Sequence, residues 1–488
     1  MKIKFPGLKF QKEFFPFLLP FFFITHYYTL NYPYFPPRLA INLFVKYLLA
    51  IFFLNFLSLP FLKSWRKSSF FTFFLLCIQF FYIFLYEFLS ARLAKTIFSK
   101  DFFILGVLVL VLIWLFLRLK QFTGSLSKLV NFFNFLLISW IFIELFKFIG
   151  LKNYLSTELK KTIEIKEFSN GKKPDIYLLL LDEYAGQKEL IDKFQFDNSE
   201  FLSYLSNKSF HIVRYSKSNY NLTSFSMASM LSLDTLKISN YRKPKTKDYT
   251  LTGLKINQSP VGHYFQQNGY EIYNLSIFNF LNLQSHFTHS YMRNFDKEFS
   301  LLTLTGLIQK NYPEVFFPKS KKNDGENSLY QDLNYNIAIK NFFLNQLPFK
   351  SNKPKFVYAH FLMPHFPHFL NEKGQLNDPE IQNSERTYLG YLKYCNLQLI
   401  SIIDKILSSS AAPPIILLMS DHGFRGFSKS VDSKYYFMNL NAVFLPNGNY
   451  SGFYDGMSNV NEFRVILNSQ FGQKLPLLND STFLLKEY

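Results

Sequence analysis

The stretch DIYLLLLDEYAG (Asp175–Gly186) decides how the second half of this 488-residue chain is read. Six apolar residues in a row, Ile176–Leu181, follow Pro174 and stop at Asp182. A run this short, with no polar alternation, fits a strand buried on both faces. Further runs at Glu271–Phe278, Lys355–Met363, Pro414–Ser420 and Asn441–Pro446 predict more strands. Longer helical patterns separate them; in Thr387–Leu407, Leu392, Cys395, Leu399, Ile402 and Ile406 recur at helical spacing. The alternation predicts one α/β domain over residues 174–488, with a mostly parallel sheet covered by helices on both faces. Lys319–Asn327 is polar, contains Gly325, and is expected to be an exposed loop.

Upstream the composition changes. The chain is 20 % aromatic, with 62 Phe, and residues 1–150 hold most of the long apolar runs. A bilayer core about 30 Å thick needs about 20 apolar residues per helix. Five segments qualify: Phe14–Leu30, Ala40–Leu62, Ser69–Ser90, Phe102–Leu119 and Leu129–Gly150. Residues 1–150 are thus expected to be an α-helical membrane domain of about five transmembrane helices, the first interrupted by Pro16 and Pro20. No small-residue cleavage site follows the first segment, which reads as an anchor. Residues 151–173 are a linker in which Leu155, Leu159, Ile163 and Ile165 lie among Lys and Glu, either as an interfacial helix or as plain connection.

The net charge of +19 raises the question of nucleic acid, but residues 1–150 carry 16 Lys and Arg against 4 Asp and Glu, so +12 of it lies there. That excess sits between the apolar segments, where basic residues set topology. Lys2, Lys4, Lys9, Lys12, Lys63, Arg66, Lys67, Arg118, Lys120 and Lys128 fall on one side; Arg38, Arg92, Lys95 and Lys100 fall on the other. The imbalance places the amino terminus in the cytoplasm and, after five crossings, everything past Gly150 outside the cell membrane. Nucleic acid is not an expected partner. Cys77 lies in an apolar run and Cys395 in the soluble part, so no disulfide is expected.

In a parallel sheet, ligands gather at the carboxyl ends of strands. Asp182 ends the first run; Asp421 and His422 follow Pro414–Ser420. Between them, Asn219–Ala228 reads as a loop entering a helix, with Thr223 near its start, where free N–H groups face an anion. Each residue alone has an ordinary reading: a strand-end Asp as a cap, Thr223 as an N-cap. Together they offer two carboxylates, an imidazole and a hydroxyl. That oxygen-rich set suits zinc or manganese, and such an ion would lower the pKa of a threonine hydroxyl enough to make it a nucleophile.

Four segments carry a resemblance: Pro174–Tyr184, Ser218–Ser229, Ser420–Gly423, and Ala359–Phe361 continuing through Pro364–Pro367. Together they resemble the sulfatase-like branch of the alkaline-phosphatase superfamily, and within it membrane phosphotransferases of the lipoteichoic acid synthase and lipid A phosphoethanolamine transferase type. The resemblance spans about Pro174–Gly472. It implies an alkaline-phosphatase-like fold, metal ligation by Asp182, Thr223, Asp421 and His422, and Thr223 as nucleophile. It also implies His365 as a phosphate or leaving-group contact, with His360 and His368 as further substrate-side candidates. Two features depart from relatives. Phe225 and Met227 stand where formylglycine sulfatases carry Pro and Arg, and Thr223 stands where they begin with Cys or Ser, so sulfate hydrolysis by that route is disfavoured. No histidine follows His422, which favours one metal over two; Arg425, Lys429 or Lys434 could supply the missing positive charge.

The resemblance implies a metal-dependent transferase. It would carry a phosphoethanolamine- or phosphoglycerol-type head group from a membrane lipid donor to an envelope glycan or lipid acceptor, through a phospho-threonine ester. A membrane-anchored phosphate or sulfate ester hydrolase, and a non-catalytic membrane protein keeping the fold, are the alternatives.

Overall fold

The structure is a computed structural model. It describes residues 12–92, 96, 100–160, 163, 165–166, 168, 171, 173–238, 240, 243–287, 295–312, 330–348 and 351–486. The expected loop at Lys319–Asn327 lies outside the described residues. The chain forms two compact units, Met1–Leu155 with Arg293–Lys322, and Ser156–Met292 with Asn323–Tyr488.

The first unit opens with five helices where the apolar segments predict them: α1 (Phe15–Asn31), α2 (Pro37–Leu62), α3 (Trp65–Arg92), α4 (Asp101–Gln121) and α5 (Ser127–Leu159). Helices α2 to α5 are each long and apolar enough to cross a membrane. With 17 residues, α1 spans about 26 Å, short of a bilayer core. Phenylalanine does much of the packing between them: Phe15 meets Phe73 edge-on with ring centroids 5.0 Å apart, and Phe23 stacks on Phe80 at 4.5 Å. Outward faces stay apolar, with Phe53, Leu110 and Phe146 exposed, as lipid-facing surfaces are. Among the linker residues, α5 continues without a break to Leu159, and Ile163, Ile165 and Phe168 pack against the core of the second unit.

The second unit holds a six-stranded sheet and its helices. In chain order these are β1 (Ile176–Asp182), α6 (Gln187–Phe194), α7 (Ser199–Asn207), β2 (His211–Ile212), α8 (Thr223–Ser232), α9 (Thr246–Asn257), α10 (Pro260–Gln267) and β3 (Glu271–Leu275). After α11 (Phe295–Leu301) and α12 (Leu304–Asn311), which fold with the first unit, come α13 (Gln331–Asn341), β4 (Lys355–Pro364), α14 (Glu385–Ser409), β5 (Ile415–Ser420), β6 (Asn441–Phe444) and α15 (Glu462–Phe471). The strand order is β2-β6-β5-β1-β4-β3. The three pairings among β3, β4, β1 and β5 are parallel, while β6 and β2 join antiparallel at one edge.

Alternate side chains of a strand face opposite sides, and β1 divides accordingly. Tyr177, Leu179 and Leu181 join a core with α6, α7, α13 and α14; Ile176, Leu178 and Leu180 join another with α8, α10 and α15. Helices on both faces explain why the run at 176–181 carries no polar residue.

Candidate metal centre

The pairing of the central strands assembles the site. In the parallel ladder of β1 and β5, Leu181 stands opposite Ser420. The next residues, Asp182 and Asp421, therefore leave the sheet side by side. The ladder between β1 and β4 slips at this point, Leu181 facing Phe361 but Asp182 facing Pro364; such irregularities redirect side chains at strand ends. Glu183 follows with φ of 65°, and its N–H donates to Asp421 Oδ1 at 3.0 Å.

Oxygen and nitrogen atoms of Asp182, Asp421 and His422 lie within 4.8 Å of one another. His422 Nε2 is 3.3 Å from Asp421 Oδ2, 3.8 Å from Asp182 Oδ1 and 3.3 Å from Thr223 Oγ1. Its Nδ1 lies 2.8 Å from the Gly423 carbonyl. A carbonyl only accepts, so Nδ1 carries the proton and Nε2 turns a lone pair toward the two carboxylates and the hydroxyl. Burial, then the charge of Arg425, holds His422 down to about 3, so the ring is neutral.

Thr223 is the first residue of α8, whose N–H groups open toward the same space. Two ties hold it there. Ser226 Oγ donates to the Asp421 carbonyl at 2.6 Å. From the other side, residues 481–485 brace the approach to the helix: Asn219 Nδ2 donates to the Ser481 carbonyl, Phe483 stacks on Tyr220 at 5.2 Å, and Leu485 exchanges two bonds with the Asn221 side chain. Gly423 lets the loop close, since a Cβ there would collide with the backbone oxygens of Tyr435 and Met438.

The site has an excess of buried acid. Asp182, Glu183, Glu189 and Asp421 are each at most 3 % exposed, and Asp182 Oδ1, Glu183 Oε2, Glu189 Oε2 and Asp421 Oδ2 have no hydrogen-bond partner among the described residues. Burial, then the charge of Asp421, pushes the Asp182 carboxyl well above its ordinary range; burial, then Glu183, does the same to Glu189. An uncompensated buried ion costs several kcal/mol. A divalent cation fits these residues because it would meet the unpartnered oxygens of Asp182 and Asp421 and the Nε2 lone pair together.

The three histidines of the 360–368 segment divide. His360 is fully buried, with Nε2 3.9 Å from Asp182 Oδ2. His365 places Nε2 3.9 Å from Glu183 Oε2, and its Nδ1 lies 2.6 Å from the Phe366 carbonyl. Burial pulls its pKa down, but the charges of Asp182 and Glu183 outweigh this and raise it. His368 turns away, its Nδ1 on the Thr387 hydroxyl and its ring beside Tyr388 and Tyr391 of α14. Arg425 donates its backbone N–H to Glu183 Oε1 at 2.7 Å, with Nε 3.7 Å from the same atom. Glu183 and Glu189 were not foreseen. The acidic pair Asp182-Glu183 at a strand end was the visible signal for the first; Glu189 looks like any acidic residue in a first helical turn.

A strand-end acid, a helix-opening threonine and an Asp-His pair now stand on one sheet edge, and the family model for sulfatases matches residues 174–463. The chain belongs to the sulfatase family of enzymes. Solved structures that are similar include three at low identity. The C-terminal periplasmic domain of EcEptC from Escherichia coli aligns with 63 % of this chain and 86 % of that one, at 12 % identity and TM-score 0.39. The phosphonate monoester hydrolase SpPMH from Silicibacter pomeroyi aligns with 64 % and 75 %, at 13 % identity and TM-score 0.41. The soluble domain of lipooligosaccharide phosphoethanolamine transferase A from Neisseria meningitidis aligns with 62 % and 89 %, at 11 % identity and TM-score 0.36. No curated protein matches the chain. Within this sulfatase-family domain, the family match covers all of Asp182, Thr223, His360, His365, His368, Asp421 and His422.

Proposed function

We propose that this protein is a membrane-anchored, metal-dependent transferase. It moves a phosphoethanolamine- or phosphoglycerol-type head group from a lipid donor to a cell-envelope glycan or lipid, through an ester on Thr223. The observation that carries this reading is the approach of the Thr223 hydroxyl to His422 Nε2, beside two buried carboxylates with unpartnered oxygens. Family membership and four helices fit to cross a membrane support it. The basic-loop asymmetry supports a cytoplasmic amino terminus and an extracytoplasmic catalytic unit.

Asp182, Asp421, His422 and Thr223 Oγ1 would hold one divalent ion, zinc or manganese, which supplies a lowered hydroxyl pKa and positive charge beside a phosphoryl oxygen. Thr223 would react as the alkoxide, its hydroxyl proton released to solvent beforehand; in the first step Oγ1 attacks phosphorus, and the bond from phosphorus to the diacylglycerol oxygen breaks. Thr223 then carries the head group as a phosphodiester. His365 would protonate the departing oxygen: its Nδ1 faces the Phe366 carbonyl, which leaves Nε2 toward the site, and Asp182 and Glu183 shift its pKa upward, in favour of the protonated ring. In the second step the acceptor hydroxyl attacks the same phosphorus, its proton passes to His365, and the Thr223 oxygen leaves. The N–H groups at the start of α8 face charge developing on the phosphoryl oxygens. His360 is a substrate-side group through its place beside Asp182; His368 is given no contact with substrate.

The test is incubation of the metal-replete protein with head-group-labelled phospholipid, followed by acceptor membranes. Label on a peptide containing Thr223 and then on an envelope glycan or lipid is expected. Free head group without labelled acceptor would identify a hydrolase; no turnover at all would sink the enzyme reading.

A further inference from the structure

Between β3 and α13 the chain leaves the catalytic unit, and Arg293–Lys322 folds with the membrane helices. Its described part, residues 295–312, is a hairpin of α11 and α12. The turn is capped, with Thr303 Oγ1 accepting from the Gly306 N–H.

The hairpin is held by all four of the first helices. Phe299, 3 % exposed, sets its ring edge-on to Tyr27 of α1 at 5.2 Å and 6.5 Å from Tyr47 of α2. Leu307 packs with Tyr82 of α3 and Ile104 of α4. Three polar contacts lie around these apolar ones. Tyr27 donates its hydroxyl to Glu298 at 3.1 Å. Gln79 Nε2 donates to Thr305 Oγ1 at 2.7 Å, and the Thr305 N–H returns a bond to Gln79 Oε1 at 3.4 Å. Asn311 Nδ2 donates to Asp101 Oδ2 at 2.9 Å.

Gln79 is the informative residue. It lies 14 residues along α3, between the apolar runs Phe73–Ile78 and Phe80–Leu85. Inside a membrane helix an amide side chain without partners is costly, so it marks a contact. Its Nε2 also reaches the Tyr47 hydroxyl of α2 at 3.4 Å, but the shorter bond goes to Thr305, and the hairpin uses both ends of the amide.

We propose that residues 295–311 are a clasp: a non-covalent attachment that keeps the catalytic half on α1–α4 independently of the linker after α5. The partner is this chain's own helix bundle, and the attachment does not depend on what reaction the protein performs.

The experiment uses full-length protein in detergent, tagged at the amino terminus, with a protease site in place of residues 169–172. After cleavage, the 174–488 fragment should stay with the tagged helices on the affinity resin. Phe299→Glu, or Gln79→Leu combined with Thr305→Val, should lower the retained fraction by about tenfold or more. The second variant keeps the apolar contacts, so it remains informative where the first fails to fold. A wild-type fragment that washes free overturns the proposal. So does a fragment that both variants retain as wild type does.

Discussion

The hydroxyl of Thr223 lies 3.3 Å from Nε2 of His422, across 199 residues of sequence. The cap position of α8 is held by Leu222, and Thr223 is the first helical residue, not the cap the sequence offered. Its hydroxyl faces the acidic cluster instead. Thr223→Ala should therefore cost little stability while lowering turnover by about four orders of magnitude or more, as loss of a nucleophile does. Thr223→Ser should keep measurable activity. Thermal melts and label transfer, read on the same preparations, check both.

From the unpartnered oxygens of Asp182 and Asp421 a metal-dependent stability is expected. Adding zinc or manganese to metal-stripped protein should raise its Tm by several degrees, through binding to the folded state alone. Asp421→Asn should weaken metal binding by at least about 100-fold. Without metal, the same variant should melt above wild type, because one of two crowded buried carboxylates has lost its charge. Metal content by mass spectrometry and paired melts give the answer; a variant that still gains Tm from metal would contradict the ligand set.

His365 owes its raised pKa to Asp182 and Glu183, acting against burial. An acid catalyst works only while protonated, so activity should fall as pH rises through its pKa. His365→Gln should lower kcat by about 10²- to 10³-fold, leave bound metal unchanged, and flatten that limb of the pH profile. Steady-state kinetics over a pH series make the measurement.

Glu462 provides a test away from the site. It is fully buried at the start of α15; its Oε2 accepts from Asn441, while Glu462 Oε1 and Asn441 Oδ1 are both left without a donor among the described residues. A proton on the carboxyl supplies the donor that this pair lacks. Burial pushes the group up to about 7. With the folded pKa above the unfolded one near 4.5, this stability is present below about pH 4.5 and is lost as pH rises through about 7. Glu462→Gln should match wild type at pH 5 and exceed it at pH 8 by up to about 3 kcal/mol. Denaturant melts at the two pH values decide it.

Much of this was written in local pattern. Apolar runs of strand length appear wherever a strand is buried on both faces, so β1, β3, β4, β5 and β6 stand where the runs predict. The helix read from Leu392 to Ile406 is α14, and the loop entering a helix at Thr223 is the start of α8. β2 is two residues long and has no periodicity to detect. Glu183 showed in the sequence only as the second acid of a strand-end pair. Its importance comes from a left-handed backbone at φ 65° and from Arg425 and His365, contacts made across the sheet. The excursion after β3 was hidden as well: Phe299 and Leu307 look like soluble-helix residues until the helices they meet are known. Likewise, nothing in residues 151–159 marks them as the end of α5.

The brace from residues 481–485 onto Asn219, Tyr220 and Asn221 sets an order of assembly. During synthesis the nucleophile segment emerges some 260 residues ahead of the strand of chain that steadies it. A nascent polypeptide ending at residue 480 would own every ligand yet hold Thr223 loosely. A stop after Asp480 would also withdraw Leu485 and Phe483 from the core beneath α8, so the loss would reach the packing as well as the brace.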